Sequence, residues 1–225
     1  MKSTCLLLDF DGTICHLFER HDLNPTAKRV ADILAERSIQ FSTTQSAYSV
    51  YSDVTLRAIR SLEDASQILA SVELAISEAE VAAARTATAL PGIEEVLRYS
   101  EINHCLIAIV TNNSPDAVET FSARHAGLLR SIPVVGRNPE RPEDMKPSSL
   151  PVKKALATLG VDATNAVLIG DTPTDMRAAG SAGCAFAGIG STLRKQRRLE
   201  TLVPRPIIFR DLGELARAYT RDELR

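Results

Sequence analysis

The stretch "LLLDFDGTI", residues 6–14, decides the fold: an apolar run from Cys5 to Phe10 is interrupted by Asp9, meets Asp11 and stops at Gly12. A strand that is apolar on both faces belongs inside a parallel sheet covered by helices on each side. The two acids at its end admit two explanations. An Asp-Gly pair makes an ordinary turn, with the acid bonding back to local backbone and the glycine supplying φ > 0. The same position is also the carboxyl rim of a sheet, where open α/β folds bind their ligands.

Further short apolar runs recur along the chain, at Cys105 to Thr111, Ile132 to Val135, Ala166 to Gly170, Cys184 to Ile189 and Ile207 to Phe209. Helix-period stretches separate them, at Ile93 to Ser100, Pro115 to Ala126, Pro151 to Leu159 and Thr172 to Ala182. The alternation predicts an α/β protein with a doubly wound, mainly parallel, Rossmann-like sheet. Between His16 and Leu90 no strand is expected, and the chain turns Ala-, Ser- and Glu-rich. Helices are predicted there over Thr26–Arg37, Val54–Leu62, Ala65–Val72 and Ser77–Thr88. A structureless loop of that length is not credible, so the segment reads as a helical subdomain inserted after the first strand. The expected division is a core of residues 1–15 and 91–225 and an α-helical cap of residues 16–90.

With 26 basic and 28 acidic residues among 225, the chain has a formal net charge of −2. That balance argues against nucleic acid or a membrane surface as partner and leaves small-molecule chemistry. The four cysteines, Cys5, Cys15, Cys105 and Cys184, form no Cys-x-x-Cys pair and read as reduced thiols of a cytoplasmic protein. The apolar run after Met1 is too short for a signal sequence, and no later run is long enough to cross a bilayer. The "LRKQRRLE" run, residues 193–200, reads as a solvated helix.

The other strand ends also carry chemistry. The second run ends in Thr111-Asn112-Asn113-Ser114, the fourth in Gly170-Asp171-Thr172-Pro173-Thr174-Asp175, and the loop before Pro151 carries Lys146. Each has an innocent explanation as a helix cap, a first-turn proline or a loop lysine. Together they gather on one rim. Converging carboxylates raise one another's pKa unless a cation sits between them, so Asp9, Asp11 and Asp171 imply a divalent metal. All-oxygen ligands favour Mg²⁺. Thr111, Asn112 and Lys146 would supply donors to an anion, and phosphate is the anion that also ligates Mg²⁺.

These motifs, Asp9-Phe10-Asp11-Gly12-Thr13, Ile109-Val110-Thr111-Asn112, Lys146, and Gly170-Asp171 with Asp175, resemble in order those of the haloacid dehalogenase superfamily. The resemblance is to its phosphatase branch with a helical cap after the first strand, similar to phosphoglycolate phosphatases. It implies Asp9 as a nucleophile that forms an aspartyl phosphate and Asp11 as the acid and base serving leaving oxygen and water. It further implies that Thr111 and Lys146 hold the transferring oxygens, with Gly12, Thr13 and Asn112 beside them. Mg²⁺ would be held by Asp9, Asp11 through its backbone carbonyl, and Asp171, with Asp175 steadying Lys146 or metal-bound water. The implied partner is a small phosphorylated metabolite, the implied assembly a monomer or homodimer.

Asp11 argues against the dehalogenase and phosphonate-cleaving branches, whose members lack an acid two residues after the nucleophile. A phosphomutase or phosphotransferase remains open. The alternatives from another class are a signalling receiver domain, which is shorter, lacks the helical insertion and keeps its phosphoacceptor on a later strand, and a non-catalytic phosphate-binding protein, whose usual mark, a lost nucleophile or shuttle acid, is absent here. His16, just after the hinge-like Ile14-Cys15, is a candidate substrate contact. His21, Lys28, Arg29, Tyr48, Tyr51, Asp53 and Arg57 are the inserted segment's other candidates.

Overall fold

The computed structural model describes residues 4–44 and 46–221; the ends of the expected core, residues 1–3 and 222–225, lie outside them. Each of the six apolar runs forms a strand of one sheet: β1 (Cys5–Leu8), β4 (Leu106–Val110), β5 (Val134–Val135), β6 (Ala166–Gly170), β7 (Ala185–Ile189) and β8 (Ile207–Phe209). Their order is β5-β4-β1-β6-β7-β8, and every neighbouring pair is parallel. The chain is an α/β protein.

Alternation along β1 distributes the core. Leu6 and Leu8 join one apolar cluster with α4 (Ile93–Ile102), α5 (Pro115–Arg124) and α9 (Leu212–Thr220). Cys5 and Leu7 join the other, with α6 (Leu150–Leu159) and α7 (Pro173–Ala182). Residues on opposite pleat faces thus bury into opposite helix layers, which makes a run apolar on both faces. β1 lies between β4 and β6, where the strand order switches direction, so its carboxyl end opens onto the crevice of a doubly wound sheet.

The segment after β1 packs around a third apolar cluster of its own. It contains α1 (Asn24–Ala35), a 3-10 turn at Ala47–Tyr51, α2 (Asp53–Arg60) and the first part of α3 (Ala65–Ala84). Two expectations need correction. The helices predicted at Ala65–Val72 and Ser77–Thr88 are a single 20-residue helix, because Glu73 to Ile76 contains no breaker and buries Glu73, Ala75 and Ile76. The expectation of no strand also fails: β2 (Cys15–His16) pairs antiparallel with β3 (Thr88–Ala89) and brings the two ends of the segment together. Two-residue strands carry no readable alternation. Among the described residues no helix is long and apolar enough to cross a membrane.

Candidate active site

The β1–β6 ladder continues one residue beyond β1, with the Asp9 amide donating to the Ile169 carbonyl at 2.9 Å. That fixes the Asp9 side chain at the rim. The chain then turns tightly, with the Ile14 amide donating to Phe10 at 2.9 Å and the Gly12 amide to Cys15 at 2.6 Å. Gly12 has φ +87°, and a Cβ there would fall 2.2 Å from Asp171 Oδ2 and 2.5 Å from Lys195 Nζ. Only glycine gives both the left-handed turn and the space for Asp171.

Lys146 reaches this rim from the loop before α6. Its ammonium donates to Asp9 Oδ1 at 2.6 Å and to the Val110 carbonyl at 2.7 Å, and pairs with Asp175 Oδ1 at 2.6 Å. Asn112 holds the lysine's backbone in place: its amide donates to the Lys146 carbonyl at 2.9 Å, and its Oδ1 accepts from the Lys146 amide at 2.8 Å. Asp175 has two tasks. Its other oxygen accepts from the Thr172 amide at 3.0 Å and hydroxyl at 2.5 Å, closing a capping box on α7. Asp175 therefore caps α7 and pairs with Lys146 at once.

Asp9, Asp171 and Asp175 each place a carboxylate oxygen within 4.8 Å of the others, and all three are buried. Asp171 Oδ2 pairs with Lys195 at 2.5 Å, whereas Asp171 Oδ1 is buried with no hydrogen-bond partner. An orphaned carboxylate oxygen among converging acids fits a hard divalent cation. Burial pushes the Asp9 carboxyl upward, opposed by Lys146 and reinforced by Asp175 and Asp171. Burial likewise raises Asp11 to about 6, against the pull of the Leu17 amide. Asp11 Oδ1 accepts from that amide at 2.9 Å, which ties the acid to the chain leaving the core.

These groups line a cavity of about 170 Å³: Asp9, Asp11, Asn112, Lys146, Asp171 and Asp175, together with Phe18, Tyr48, Asn113, Thr172 and Thr174. A larger hollow of about 320 Å³ beside α5, lined by residues such as Val118 and Leu129, holds none of these acids. The smaller cavity holds the four aspartates and Lys146. Thr111 is one layer back: its hydroxyl donates to Asn113 Oδ1 at 3.0 Å and accepts from the Asn113 amide at 3.1 Å. The Thr13 hydroxyl is buried without a partner. His16 lies on β2 and is half-buried, and it, Gly12 and Thr13 all stand outside the cavity lining.

Sequence reasoning missed two features. Lys195, in the charge run taken as solvated, pairs with Asp171 instead. Behind Tyr48 lies a buried ion network joining α3 to Arg137. Arg137 donates through Nε to Glu73 at 2.7 Å, through Nη1 to Glu80 at 2.8 Å and to the Asn112 carbonyl at 2.7 Å, and through Nη2 to both glutamates. Glu80 also accepts from the Ser114 amide at 2.9 Å, the Asn113 side chain at 3.0 Å and the Tyr48 hydroxyl at 2.5 Å. Glu73, Ser77 and Glu80 form a polar stripe at helical spacing on an apolar helix, and that was the available signal.

An α/β fold with a switch-point cavity ringed by four aspartates and one lysine defines a class of hydrolases built around an acid at the end of the first strand. The chain belongs to the haloacid dehalogenase-like hydrolase family, whose model matches residues 4–183. It is 27% identical over 186 residues to the plasmid phosphoglycolate phosphatase of Cupriavidus necator, covering 81% of this chain and 79% of that one. It is 32% identical over 83 residues to the phosphoglycolate phosphatase of Neisseria meningitidis, covering 37% of this chain. That match spans only 34% of the Neisseria protein's length. The fold is shared with CbbY from Rhodobacter sphaeroides, solved with phosphate, at TM-score 0.65 and 19% identity over 96% of each chain. A predicted phosphatase from Clostridium acetobutylicum gives TM-score 0.69 at 15% identity, over 98% of this chain and 100% of that one.

Proposed function

We propose that the chain is a Mg²⁺-dependent phosphatase that hydrolyses a small organic phosphate monoester through an aspartyl phosphate on Asp9. The observation that carries this reading is Asp9 itself, buried at the strand end, gripped by Lys146 and close to Asp171, one of whose oxygens lacks a partner. The names of the relatives support it. Asp9 attacks phosphorus, the bond to the ester oxygen breaks, and Asp11 gives its proton to that oxygen as the alcohol leaves. A carboxyl raised to about 6 still holds a proton in part of the population near neutral pH, as a general acid must. Asp11 then takes a proton from water as the water oxygen attacks the phosphorus of the acyl phosphate, releasing phosphate and restoring Asp9. Lys146, held by Asn112, orients Asp9 and offsets charge on the transferring oxygens. Asp9, Asp171 and the Asp11 carbonyl, with Asp175 beside them, are the groups that would hold Mg²⁺, which when bound screens carboxylate from phosphate.

In this reading residues 16–90 are a cap on a core of residues 1–15 and 91–225, and the protein is a cytoplasmic monomer or homodimer. Phe18 and Tyr48 are the cap's contribution to the cavity. The test is phosphate release from an aryl phosphate with and without Mg²⁺. Release that stops on chelation and returns with Mg²⁺ supports the reading, and undiminished turnover after exhaustive chelation overturns it.

A further inference from the structure

Apart from the acids, Asn112 and Lys146, the cavity lining has a definite chemistry. Phe18 and Tyr48 present aromatic surface, their rings edge-to-face with centroids 6.1 Å apart. The polar atoms beside them are already engaged. The Tyr48 hydroxyl donates to Glu80 and accepts from Asn113 Nδ2 at 3.1 Å, and Asn113 Nδ2 also donates to Glu80. The Thr172 and Thr174 hydroxyls bond each other at 2.6 Å. Burial and the Glu80 charge push the Tyr48 phenol well above its ordinary value, so it stays neutral.

Cations are accounted for in the same way. Among the described residues that line the cavity Lys146 is the one cation, and three oxygens already surround its ammonium. Lys195 is outside the lining and paired with Asp171. Arg137 stands behind Tyr48 and Asn113, but its nitrogens are spent on Glu73, Glu80 and the Asn112 carbonyl. One guanidinium against two carboxylates leaves that wall backed by net negative charge.

We propose that the leaving group of this chain's ester is uncharged and presents apolar or aromatic surface, and that the site rejects esters carrying a second carboxylate or phosphate. The inference rests on the phosphatase reading and narrows its substrate class. A second anion against this wall would shed water, find no free side-chain cation and face like charge, a juxtaposition that costs about a hundredfold in affinity. At about 170 Å³ the cavity is below the range of drug-sized sites, so the alcohol is small. The expected preference is opposite to that named for the phosphoglycolate phosphatases the chain resembles, whose product bears a carboxylate.

The decisive measurement compares kcat/KM for phosphoglycolate with that for its neutral amide, a pair nearly equal in size and different in charge, alongside phenyl phosphate. The amide and phenyl esters should be favoured by about a hundredfold, following the cost of like-charge burial. Thr174→Lys, which puts a cation on the wall, should shift the ratio at least tenfold toward the acid. Equal or better turnover of phosphoglycolate overturns the proposal while leaving the phosphatase reading intact. If Lys195→Met then abolishes that turnover, Lys195 is the partner of the second anion, and the uncharged class is again wrong. An unchanged ratio in Thr174→Lys puts the leaving group elsewhere and also overturns it. Failure to release phosphate from any of these esters overturns both readings.

Discussion

Two clusters of buried charge lie on either side of Tyr48, and they are built to opposite rules. At Arg137 the two glutamates find a bidentate guanidinium, two tyrosine hydroxyls, a serine hydroxyl and the Ser114 amide. At the rim three of the four aspartates share two ammonium groups, Asp11 has only the Leu17 amide, and one Asp171 oxygen has no partner. A saturated network can fix how α3 seats on the sheet, since buried pairs serve positional specificity better than net stability. An unsaturated cluster stores electrostatic stress that a ligand relieves, and functional sites are where such stress is kept. On the proposed reading the same side-chain types serve positioning in one place and chemistry in the other, and the orphaned atom tells them apart.

The sharpest way to break the comparison is to neutralise the rim's first acid. Asp9→Asn should reduce turnover below detection and abolish phosphoenzyme formation, measured by trapping of labelled phosphate on the protein. Asp11→Asn should keep the nucleophile and lose proton transfer, about 10²–10⁴-fold in kcat. Both variants should melt no lower than the parent in the absence of metal, because each removes a buried charge. Near-parental turnover by Asp9→Asn would remove the covalent role.

Next in size is the positioning cluster. Arg137→Met leaves Glu73 and Glu80 buried without their cation and should cost about 3–5 kcal/mol of stability by denaturant unfolding. Combining it with Glu73→Gln and Glu80→Gln should recover most of that loss. A single variant as stable as the parent would mean that the network does not hold α3 on the sheet.

A smaller effect separates the clusters by their response to cations. Mg²⁺ should raise the parent's melting temperature by mass action on the folded state. Asp171→Asn should melt within a few degrees of the metal-free parent yet lose the Mg²⁺-induced rise. Arg137→Met should melt lower and keep that rise. A preserved Mg²⁺ shift in Asp171→Asn would remove Asp171 from the metal site.

How much of this was legible in sequence follows the range of the interactions. Asp9 and Asp11 announce themselves because a run apolar on both faces cannot end in two acids without a local reason. Thr172 and Asp175 could be read as a cap, and they are one, because capping is settled within one turn. Glu73 and Glu80 could not be read. Their partner Arg137 is 64 and 57 residues away, so nothing local marks the two glutamates as a buried pair. Lys195 failed likewise: nothing within "LRKQRRLE" distinguishes it until the sheet brings Asp171 to its ammonium. Strand order was also beyond reach, since runs apolar on both faces fit any interior position.

The smallest expected effect concerns pH. Burial alone would raise the Glu73 carboxyl, but hydrogen bonds and charge from Arg137, with Tyr51 and Ser77 donating as well, hold it below its ordinary 4.5. Glu80 and the Tyr48 and Tyr51 phenols are the other titratable groups facing this guanidinium. A folded-state value below the unfolded one means that the unfolded chain binds more protons between the two, so stability rises with pH across that window. The contribution is fully present above about 4.5 and is lost as pH falls through the folded value. Glu73→Gln should therefore be less stable than the parent at pH 7, with the difference shrinking at pH 3 as the parent's carboxylate is protonated. The check is urea unfolding of both proteins at several pH values without Mg²⁺. A parent-to-variant difference that stays constant from pH 7 to pH 3 would mean that Glu73 contributes shape rather than charge, and the contrast between a saturated and an unsaturated cluster would rest on Glu80 alone.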